Sequence, residues 1–274
     1  ELSMTHTSPI PQLGLGTFGR TGEEGTQAIL AAIEIGYRHI DTAQSYDTES
    51  SVGEAIRRSG LPRSQFFVTT KVADTNLEKP RFLSSVTRSL ETIGVDQVDL
   101  LLVHWPSQND QVPFEDYMLA LAEAKSRGDA RHVGVSNFPV ALLEKTRALL
   151  GDDAIATDQV EIHPYLQTPT LRDHARARGL PLTAYQPLFK GEVHKDPLLK
   201  AIAERHGVSA AAVALAFLMA EGHIVIPASA SPANLASNFA ARDLRLADED
   251  IDRIRGLDRG ERRINPAKSP RWDD

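Results

Sequence analysis

Eight short strand-like runs alternate with helical patterns along the chain, and this alternation limits the possible folds more than any other feature. The runs cover residues 13–17, 38–42, 66–71, 99–104, 133–136, 156–160, 182–185 and 224–227. Several are continuously apolar, such as residues 100–103, which is typical of strands buried on both faces of a parallel sheet. We therefore predict an α/β fold, a single (β/α)8 TIM barrel domain over residues 1–274, with a doubly wound open sheet as the alternative.

The helical segments show apolar residues at helical spacing, and most are followed by a stop signal such as glycine. Two successive helices between residues 196 and 222 break the strict alternation, so we expect one extra helix there, with Ser209 as an N-cap. Residues 247–257 predict a C-terminal helix, followed by an irregular tail over residues 259–274 that could fold back over a barrel opening. The predicted helices are residues 26–35, 86–93, 114–124, 141–150, 170–178, 210–220 and 247–257.

Composition excludes several classes of function. A hydrophobic fraction of 41% with 24% charged residues excludes disorder over most of the length, and a net charge of −7 disfavours a nucleic-acid partner. The chain has 0 cysteines, which excludes disulfides, thiolate metal sites and cysteine nucleophiles. No apolar run reaches the roughly 18 residues of a membrane span, and no signal pattern opens the chain, so we expect a cytoplasmic protein. Met4 is the expected natural start, with residues 1–3 left over from cloning.

Polar side chains stand where the predicted strands end, which is where a barrel carries its chemistry. Lys71 and His104 directly follow apolar strands, so both should be partly buried, and a buried lysine needs an anionic partner such as Asp41. Tyr46 lies in the loop above Asp41, and a nearby ammonium is expected to lower the pKa of its hydroxyl. Together with a neutral His104, these side chains can donate a proton to a carbonyl oxygen without a metal. Reduction of that carbonyl would also require a hydride from a cofactor.

Seven segments, taken in order, resemble the aldo-keto reductase family, and the resemblance runs from residue 13 to about residue 265. Each is weak alone, but their order and their placement at strand ends are together specific. They are GLGTF at 14–18, YRHIDTA at 37–43, TTK at 69–71, LVHWP at 102–106, GVSNF at 134–138, QVEIHPY at 159–165 and IPAS at 226–229. The short loops after His104 and Tyr185 resemble those of bacterial members that reduce 2,5-diketogluconate and methylglyoxal-like dicarbonyls.

The resemblance implies a role for each matching residue. Tyr46 matches the proton donor, Lys71 and Asp41 match the pair that tunes it, and His104 matches the residue that orients the carbonyl. The implied substrate pocket is Phe18, Trp105, His104 and Tyr46. The implied binding positions for a nicotinamide cofactor are Gly16, Thr17, Asp41, Ser136, Asn137, Gln159, Tyr185, Pro187, Leu188, Ile226, Ala228, Ser229, Asn234 and Asn238. Within these, Ser136, Asn137 and Gln159 match side chains that bind the nicotinamide amide, and Tyr185 matches the ring that stacks on it.

The chain departs from the family where the adenosine phosphate is expected to bind. Ala228 and Asn234 stand where family members usually have lysine and arginine, and Ser237 replaces a glutamate near the adenine. No lysine or arginine lies between Arg205 and Arg242. Losing both cations should weaken the preference for NADPH over NADH, because charge-assisted contacts to a phosphate are the strong ones. NADPH is still the expected donor, with NADH accepted and with Lys190 or Lys195 as replacement charges.

The resemblance predicts a monomeric, NADPH-dependent oxidoreductase that reduces small aldehydes, ketones or α-dicarbonyls. A cofactor-binding regulatory subunit without significant turnover is the alternative, and a barrel hydrolase or lyase unrelated to nicotinamide is a third hypothesis. Retention of all four catalytic positions argues against the regulatory subunit. Turnover of small aldehydes separates the first two, and cofactor binding separates both from the third.

Several other patterns favour structural readings. The GxGxxG spacing at residues 14–19 formally matches a dinucleotide-binding fingerprint, but Pro9 and Pro11 precede it, and it leaves Lys71 and His104 without roles. His163 beside Glu161 lacks a third metal ligand at sensible spacing, so we interpret it as structural. Trp272 is either a tail residue without a partner or part of the pocket mouth. Five other histidines are interpreted as surface or satisfied polar residues, namely His132, His174, His194, His206 and His223.

Overall fold

A computed structural model describes residues 8–273, so the expectations for residues 1–4 lie outside the described part. Eight parallel strands pair in chain order, and a parallel bridge between Leu13 and Val225 joins the last strand to the first. The (β/α)8 barrel is therefore confirmed, and the open sheet is wrong. The strands are β1 (Gly14–Gly16), β2 (His39–Asp41), β3 (Phe67–Val72), β4 (Val98–Val103), β5 (Ala130–Ser136), β6 (Asp158–Glu161), β7 (Leu182–Tyr185) and β8 (Ile224–Val225).

Ten α-helices occur within residues 8–273, and they surround the barrel. The pair between β7 and β8 confirms the extra helix, and a further helix follows the barrel near the C-terminus, as predicted. Two helices, α2 and α9, were not predicted from the sequence pattern. The helices are α1 (Gly22–Ile35), α2 (Glu49–Ser59), α3 (Lys79–Ile93), α4 (Phe114–Ser126), α5 (Val140–Leu150), α6 (Pro169–Ala177), α7 (Pro197–His206), α8 (Ala210–Ala220), α9 (Pro232–Ala240) and α10 (Asp248–Arg255).

The apolar core has two parts, and β4 shows how the sequence divides between them. All six residues of β4 are buried. Because side chains alternate across a strand, Leu101 and Val103 join the large cluster that includes the surrounding helices, whereas Leu100 and Leu102 join a small cluster with Ile10 and Ile224. Burial on both faces explains why this strand reads as a continuous apolar run.

Side-chain caps begin the two helices between β7 and β8. The Asp196 carboxylate accepts the main-chain N–H groups of Leu198 and Leu199 at 2.9 and 3.0 Å, which caps α7. The Ser209 hydroxyl accepts the N–H of Ala212 at 3.0 Å, so the predicted cap of α8 is confirmed. No single helix within residues 8–273 is long and apolar enough to cross a membrane; only α7 and α8 together, bent by 93°, pass that test by length and composition.

The tail after α10 crosses the face where the strands end. The N–H groups of Arg259 and Glu261 donate to the main-chain oxygen of Tyr165 at 3.3 and 2.9 Å. Further along, the Asp273 carboxylate accepts the N–H of Val140, the first residue of α5, at 2.8 Å. Tyr165 follows β6 and Val140 follows β5, so the tail spans the C-terminal side of the barrel, where the polar strand ends meet.

Candidate active site

The ammonium group of Lys71 organises the polar ends of β2 and β3. Lys71 is 0% exposed, and it donates to the Asp41 carboxylate, to the main-chain oxygen of Thr42 at 3.0 Å and to the Tyr46 hydroxyl at 3.2 Å. Burial lowers the pKa of Lys71, but attraction to Asp41 and Tyr46 outweighs burial and raises it. The other Asp41 oxygen accepts the Gln159 amide at 2.8 Å, so the ion pair is held on both sides.

Tyr46 lies on a single 3-10 turn, Gln44–Tyr46, directly after β2. Its ring meets Phe18 and His104 edge to face, with centroids 5.2 and 5.4 Å apart. Burial raises the pKa of the Tyr46 hydroxyl, and the Lys71 ammonium opposes this effect without reversing it. Lys71 does lower this pKa, as expected, but desolvation of the phenolate outweighs the attraction and the net direction is upward. The hydroxyl stays protonated at neutral pH.

His104 directly follows β4 and faces Tyr46. Its Nδ1 lies 3.4 Å from the Ser45 hydroxyl, and its main-chain oxygen accepts the Asn137 amide at 3.0 Å. Burial holds the pKa of His104 well below its ordinary value, and the charges of Lys71 and Lys268 lower it further. The imidazole is therefore neutral at pH 7, as the sequence analysis expected, and it can hydrogen-bond a substrate oxygen.

A hydrogen-bonded group of side chains from β5, β6 and β7 borders this centre. The Tyr185 hydroxyl donates to Asn137 Oδ1 at 2.7 Å, and Asn137 Nδ2 also lies 3.2 Å from the Ser136 hydroxyl. Ser136 donates to the main-chain oxygen of Gln159 at 2.7 Å. Asn137 has a left-handed backbone, with φ of 63°, which turns its side chain back towards the strand ends. The group fixes the amide of Asn137 beside the Tyr185 ring.

These side chains border a cavity of about 870 Å³ at the C-terminal ends of the strands. Its volume lies in the range of ligand pockets. Two sides of the cavity differ: Trp105, Ile264 and Pro266 line it near His104, and Ser209 and Ser237 line it near α8 and α9. The predicted residues that line it are Gly16, Thr17, Phe18, Asp41, Tyr46, His104, Trp105, Asn137, Tyr185, Pro187, Leu188, Ile226, Ala228, Ser229, Asn234 and Asn238.

Three predicted residues do not line the cavity. Ser136, Gln159 and Lys71 are buried behind Asn137, Asp41 and Tyr46, through which they connect to it. Sequence reasoning missed a larger set, including the exposed His194, which was read only as a surface or satisfied residue. The unpredicted lining residues are Arg20, Ser45, Gln186, Gly191, His194, Ser209, Ala211, Pro227, Ile264, Pro266 and Lys268. The only available signal for the last three was that a barrel tail can cover an opening.

The adenosine end of the predicted site keeps its polar groups, and no lysine or arginine lies between Arg205 and Arg242 in the sequence. The Ser231 hydroxyl accepts the N–H of Asn234 at 3.4 Å, which places Asn234 in the first turn of α9. Of the two replacement charges considered, Lys190 is exposed and lines the cavity. Lys195 pairs with Glu192 at 3.0 Å instead and is absent from the lining.

Glu161 and His163 connect the barrel to the tail. The Glu161 carboxylate accepts His163 Nε2–H at 3.0 Å and the main-chain N–H groups of Arg263 and Ile264 at 2.9 and 2.7 Å. Burial raises the pKa of Glu161, but these hydrogen bonds outweigh it, and the net direction is downward. The pair thus holds Ile264 at the cavity. Across residues 8–273, no group of three or more histidine or acidic side chains is placed to hold a metal.

Trp272 supports the pocket wall from behind. Its ring meets Trp105 edge to face, with centroids 6.3 Å apart, and its Nε1 donates to Asn265 at 3.0 Å. The Arg262 guanidinium lies 3.8 Å from the Trp272 ring centroid. Trp272 itself is not among the residues that line the cavity. It is therefore neither a tail residue without a partner nor part of the pocket mouth, the two alternatives that the sequence left open.

Comparison with known proteins agrees with this geometry. A family model described as the aldo/keto reductase family matches residues 12–259. The chain is 44% identical over 265 residues to methylglyoxal reductase DkgB of Salmonella typhi, covering 96% of this chain and 99% of that one. It is 38% identical over 256 residues to glyoxal reductase of Bacillus subtilis, covering 92% and 91% of the two chains.

Solved structures give the same result. A protein provisionally assigned as 2,5-diketo-D-gluconic acid reductase B superposes with a TM-score of 0.93 at 42% identity, covering 98% of this chain and 96% of that one. A Bombyx mori aldo-keto reductase, solved in complex with NADP, superposes with a TM-score of 0.87 at 29% identity, covering 93% and 92%.

Proposed function

Because the chain belongs to the aldo/keto reductase family, we propose that it reduces the carbonyl group of small aldehydes, ketones or α-dicarbonyls with a nicotinamide cofactor. The observation that carries the proposal is that Tyr46 and the neutral His104 imidazole line one cavity, with the Lys71 ammonium hydrogen-bonded to the Tyr46 hydroxyl from behind. The relatives named as methylglyoxal, glyoxal and 2,5-diketogluconate reductases support the substrate class. We also propose that the protein acts as a cytoplasmic monomer without nucleic-acid or membrane partners.

The residues at the cavity fit a nicotinamide cofactor. Gly16 allows the first strand to approach the segment after β8 beside the cavity, because a Cβ at this position would lie 2.8 Å from the main-chain oxygen of Ile226. Gln159 is 2% exposed, and within residues 8–273 its Oε1 accepts no hydrogen bond, so it is free to accept from the nicotinamide amide. Asn137 and Tyr185 would hold the same end, and Ser229, Asn234 and Asn238 the adenosine end. NADPH is the proposed donor, with NADH accepted, since no lysine or arginine lies near Ala228 and Asn234 in the sequence.

When bound, a nicotinamide cofactor would supply a hydride to the carbonyl carbon, and this chain's own residues act on the carbonyl oxygen. His104 donates a hydrogen bond to the carbonyl oxygen as a neutral imidazole, which orients it beside Tyr46. The Tyr46 hydroxyl then donates its proton as negative charge develops on that oxygen. Lys71 stabilises the phenolate that remains, and Asp41 keeps Lys71 in place. A hydroxyl that stays protonated at neutral pH is suited to this direction of reaction.

The test is NADPH oxidation in the presence of methylglyoxal by the wild type and by Tyr46→Phe. We expect the variant to lose about 10²-fold or more in kcat, the range typical of general acid catalysis. Its affinity for NADPH, followed by fluorescence quenching, should be unchanged. Tyr117→Phe is the matched control, because it removes the same hydroxyl group from a tyrosine in α4, outside the cavity lining.

Full activity of Tyr46→Phe would overturn the assigned proton donor. Tight NADPH binding without turnover of any aldehyde or ketone in a broad panel would favour the regulatory subunit instead. Absence of both turnover and quenching would reject the cofactor and leave the unrelated hydrolase or lyase.

A further inference from the structure

The charged residues that line the cavity are mostly cations, although the net charge of the whole chain is negative. The sequence carries a net charge of −7, yet the lining includes the cations Arg20, Lys190 and Lys268. Within residues 8–273 the lining includes one carboxylate, Asp41, and Lys71 neutralises it. A positive field in a concave site attracts anionic ligands.

Lys268 is the cation that belongs to the reacting end of the cavity. Its Nζ lies 5.6 Å from the centroid of the Trp105 ring, and Trp105 directly follows His104 in sequence. Of the three lining cations, it alone contributes to lowering the pKa of His104. Its tail neighbours Ile264 and Pro266 line the same cavity, whereas Ala228 and Asn234 belong to the opposite, adenosine end.

We propose that Lys268 binds a carboxylate of the substrate, so that the preferred substrates are small carbonyl compounds that also carry an acid group. The inference rests on the proposed reductase function and narrows its substrate class. With the carbonyl oxygen at Tyr46 and His104, an acid group on the same molecule lies on the side of Trp105, where the ammonium stands. The lysine is thus a specificity-determining residue, and it takes no part in hydride or proton transfer.

The present partner of Lys268 is one that a substrate can displace. Lys268 Nζ lies 2.8 Å from Asp74 Oδ1, and the two side chains are 32% and 33% exposed. Ion pairs with this much solvent contact contribute little to stability, and an ammonium has three donors to share. Asp74 does not line the cavity, so the lysine can keep one contact to it or exchange that contact for a carboxylate inside.

The test compares two aldehydes that differ in one charge, para-carboxybenzaldehyde and its methyl ester. In Lys268→Met we expect kcat/KM for the acid to fall about tenfold or more, as for a lost hydrogen bond between charged groups, with the ester unaffected. Lys268→Arg should restore most of the preference. Raising the ionic strength should increase KM for the acid alone in the wild type.

Asp74→Asn separates charge recognition from simple anchoring of the tail. This substitution removes the competing carboxylate and leaves the lysine, so kcat/KM for the acid should rise while the ester is unchanged. If both variants lowered kcat/KM for both aldehydes alike, Lys268 would be only a tail anchor and the proposal would be wrong. Equal kinetics for acid and ester in the wild type would also overturn it. If neither aldehyde nor methylglyoxal were reduced, the reductase function itself would fail.

Discussion

At the scale of single residues, Lys71 shows how one buried charge can define a site. Its three protons are donated to Asp41, Thr42 and Tyr46. A buried ammonium without such partners is costly, so its presence after an apolar strand already indicated a nearby carboxylate. The net direction of the pKa shift of Tyr46 could not be predicted from the sequence in the same way. It depends on how completely the folded protein excludes water from the hydroxyl.

Ala228 offers a test of cofactor preference. Ala228→Lys places an ammonium at the exposed rim of the adenosine end, where the 2′-phosphate of NADPH is proposed to bind. We expect KM for NADPH to fall about tenfold, since a charged hydrogen bond to phosphate forms, with little change for NADH. Steady-state kinetics with both cofactors measure this. Ala230→Lys adds the same charge two residues away, outside the cavity lining, and is the control. Equal effects on both cofactors would contradict the prediction.

His223 predicts a pH dependence of stability. Burial lowers its pKa to about 4, whereas an unfolded histidine titrates near pH 6.5. Between these values the unfolded chain binds a proton that the folded chain does not. The free energy of unfolding therefore falls as the pH drops through this window, by up to about 1.4 kcal/mol per pH unit from this residue. His223→Gln should remove that slope in urea unfolding between pH 6.5 and about 4.5.

The control for His223 is the same substitution at His206, which is exposed at the end of α7. An equal flattening in the two variants would mean that the slope does not come from burial of His223.

At the scale of secondary-structure elements, apolar patterning predicted the strands better than the helices. β7 has the predicted bounds, and the other strands differ at their ends by one to three residues. The two helices that were not singled out, α2 and α9, have weak local signals. α9 has only nine residues, and Leu235 and Phe239 are its two large apolar side chains. Its burial comes from packing against α1 and α8.

In α2, close packing against α3 explains why the local sequence did not predict a helix. Gly53 lies in the middle of the helix, where a glycine disfavours helix formation. A Cβ at this position would lie 1.9 Å from the main-chain oxygen of Ile93, the last residue of α3. The glycine therefore permits a helix contact that no local pattern reveals, and the helix is stable because of its neighbours.

At the scale of the whole molecule, the tail completes the cavity from the far end of the chain. Glu161, in β6, accepts the main-chain N–H groups of Arg263 and Ile264, about a hundred residues later in sequence. Ile264, Pro266 and Lys268 then line the cavity. One buried carboxylate thus positions part of the cavity wall on the side where we propose that the substrate binds.

Glu161→Gln should weaken substrate binding without changing cofactor binding. The amide loses the charge that strengthens the bonds to the tail, so we expect KM for methylglyoxal to rise about three- to tenfold. The dissociation constant for NADPH should stay the same, since the Glu161 side chain bonds the tail, whereas the Gln159 side chain on the same strand bonds Asp41. Kinetics and fluorescence quenching measure the two quantities. Glu115→Gln, exposed on α4, is the control. A parallel loss of cofactor affinity would contradict the separation.

The sequence was sufficient to predict the barrel and the placement of Asp41, Lys71 and His104. Both depend on local patterns, since an apolar run of strand length predicts a buried strand and a polar residue after it predicts a strand end. The roles assigned to those residues came from the family resemblance. The contacts of Lys268, Trp272 and Ile264 depend on the path of the tail, which has no periodic pattern and is held by main-chain hydrogen bonds to distant residues. Those contacts, and the desolvation that raises the pKa of Tyr46, exist only once the chain has folded, because burial and long-range pairing are properties of the whole molecule.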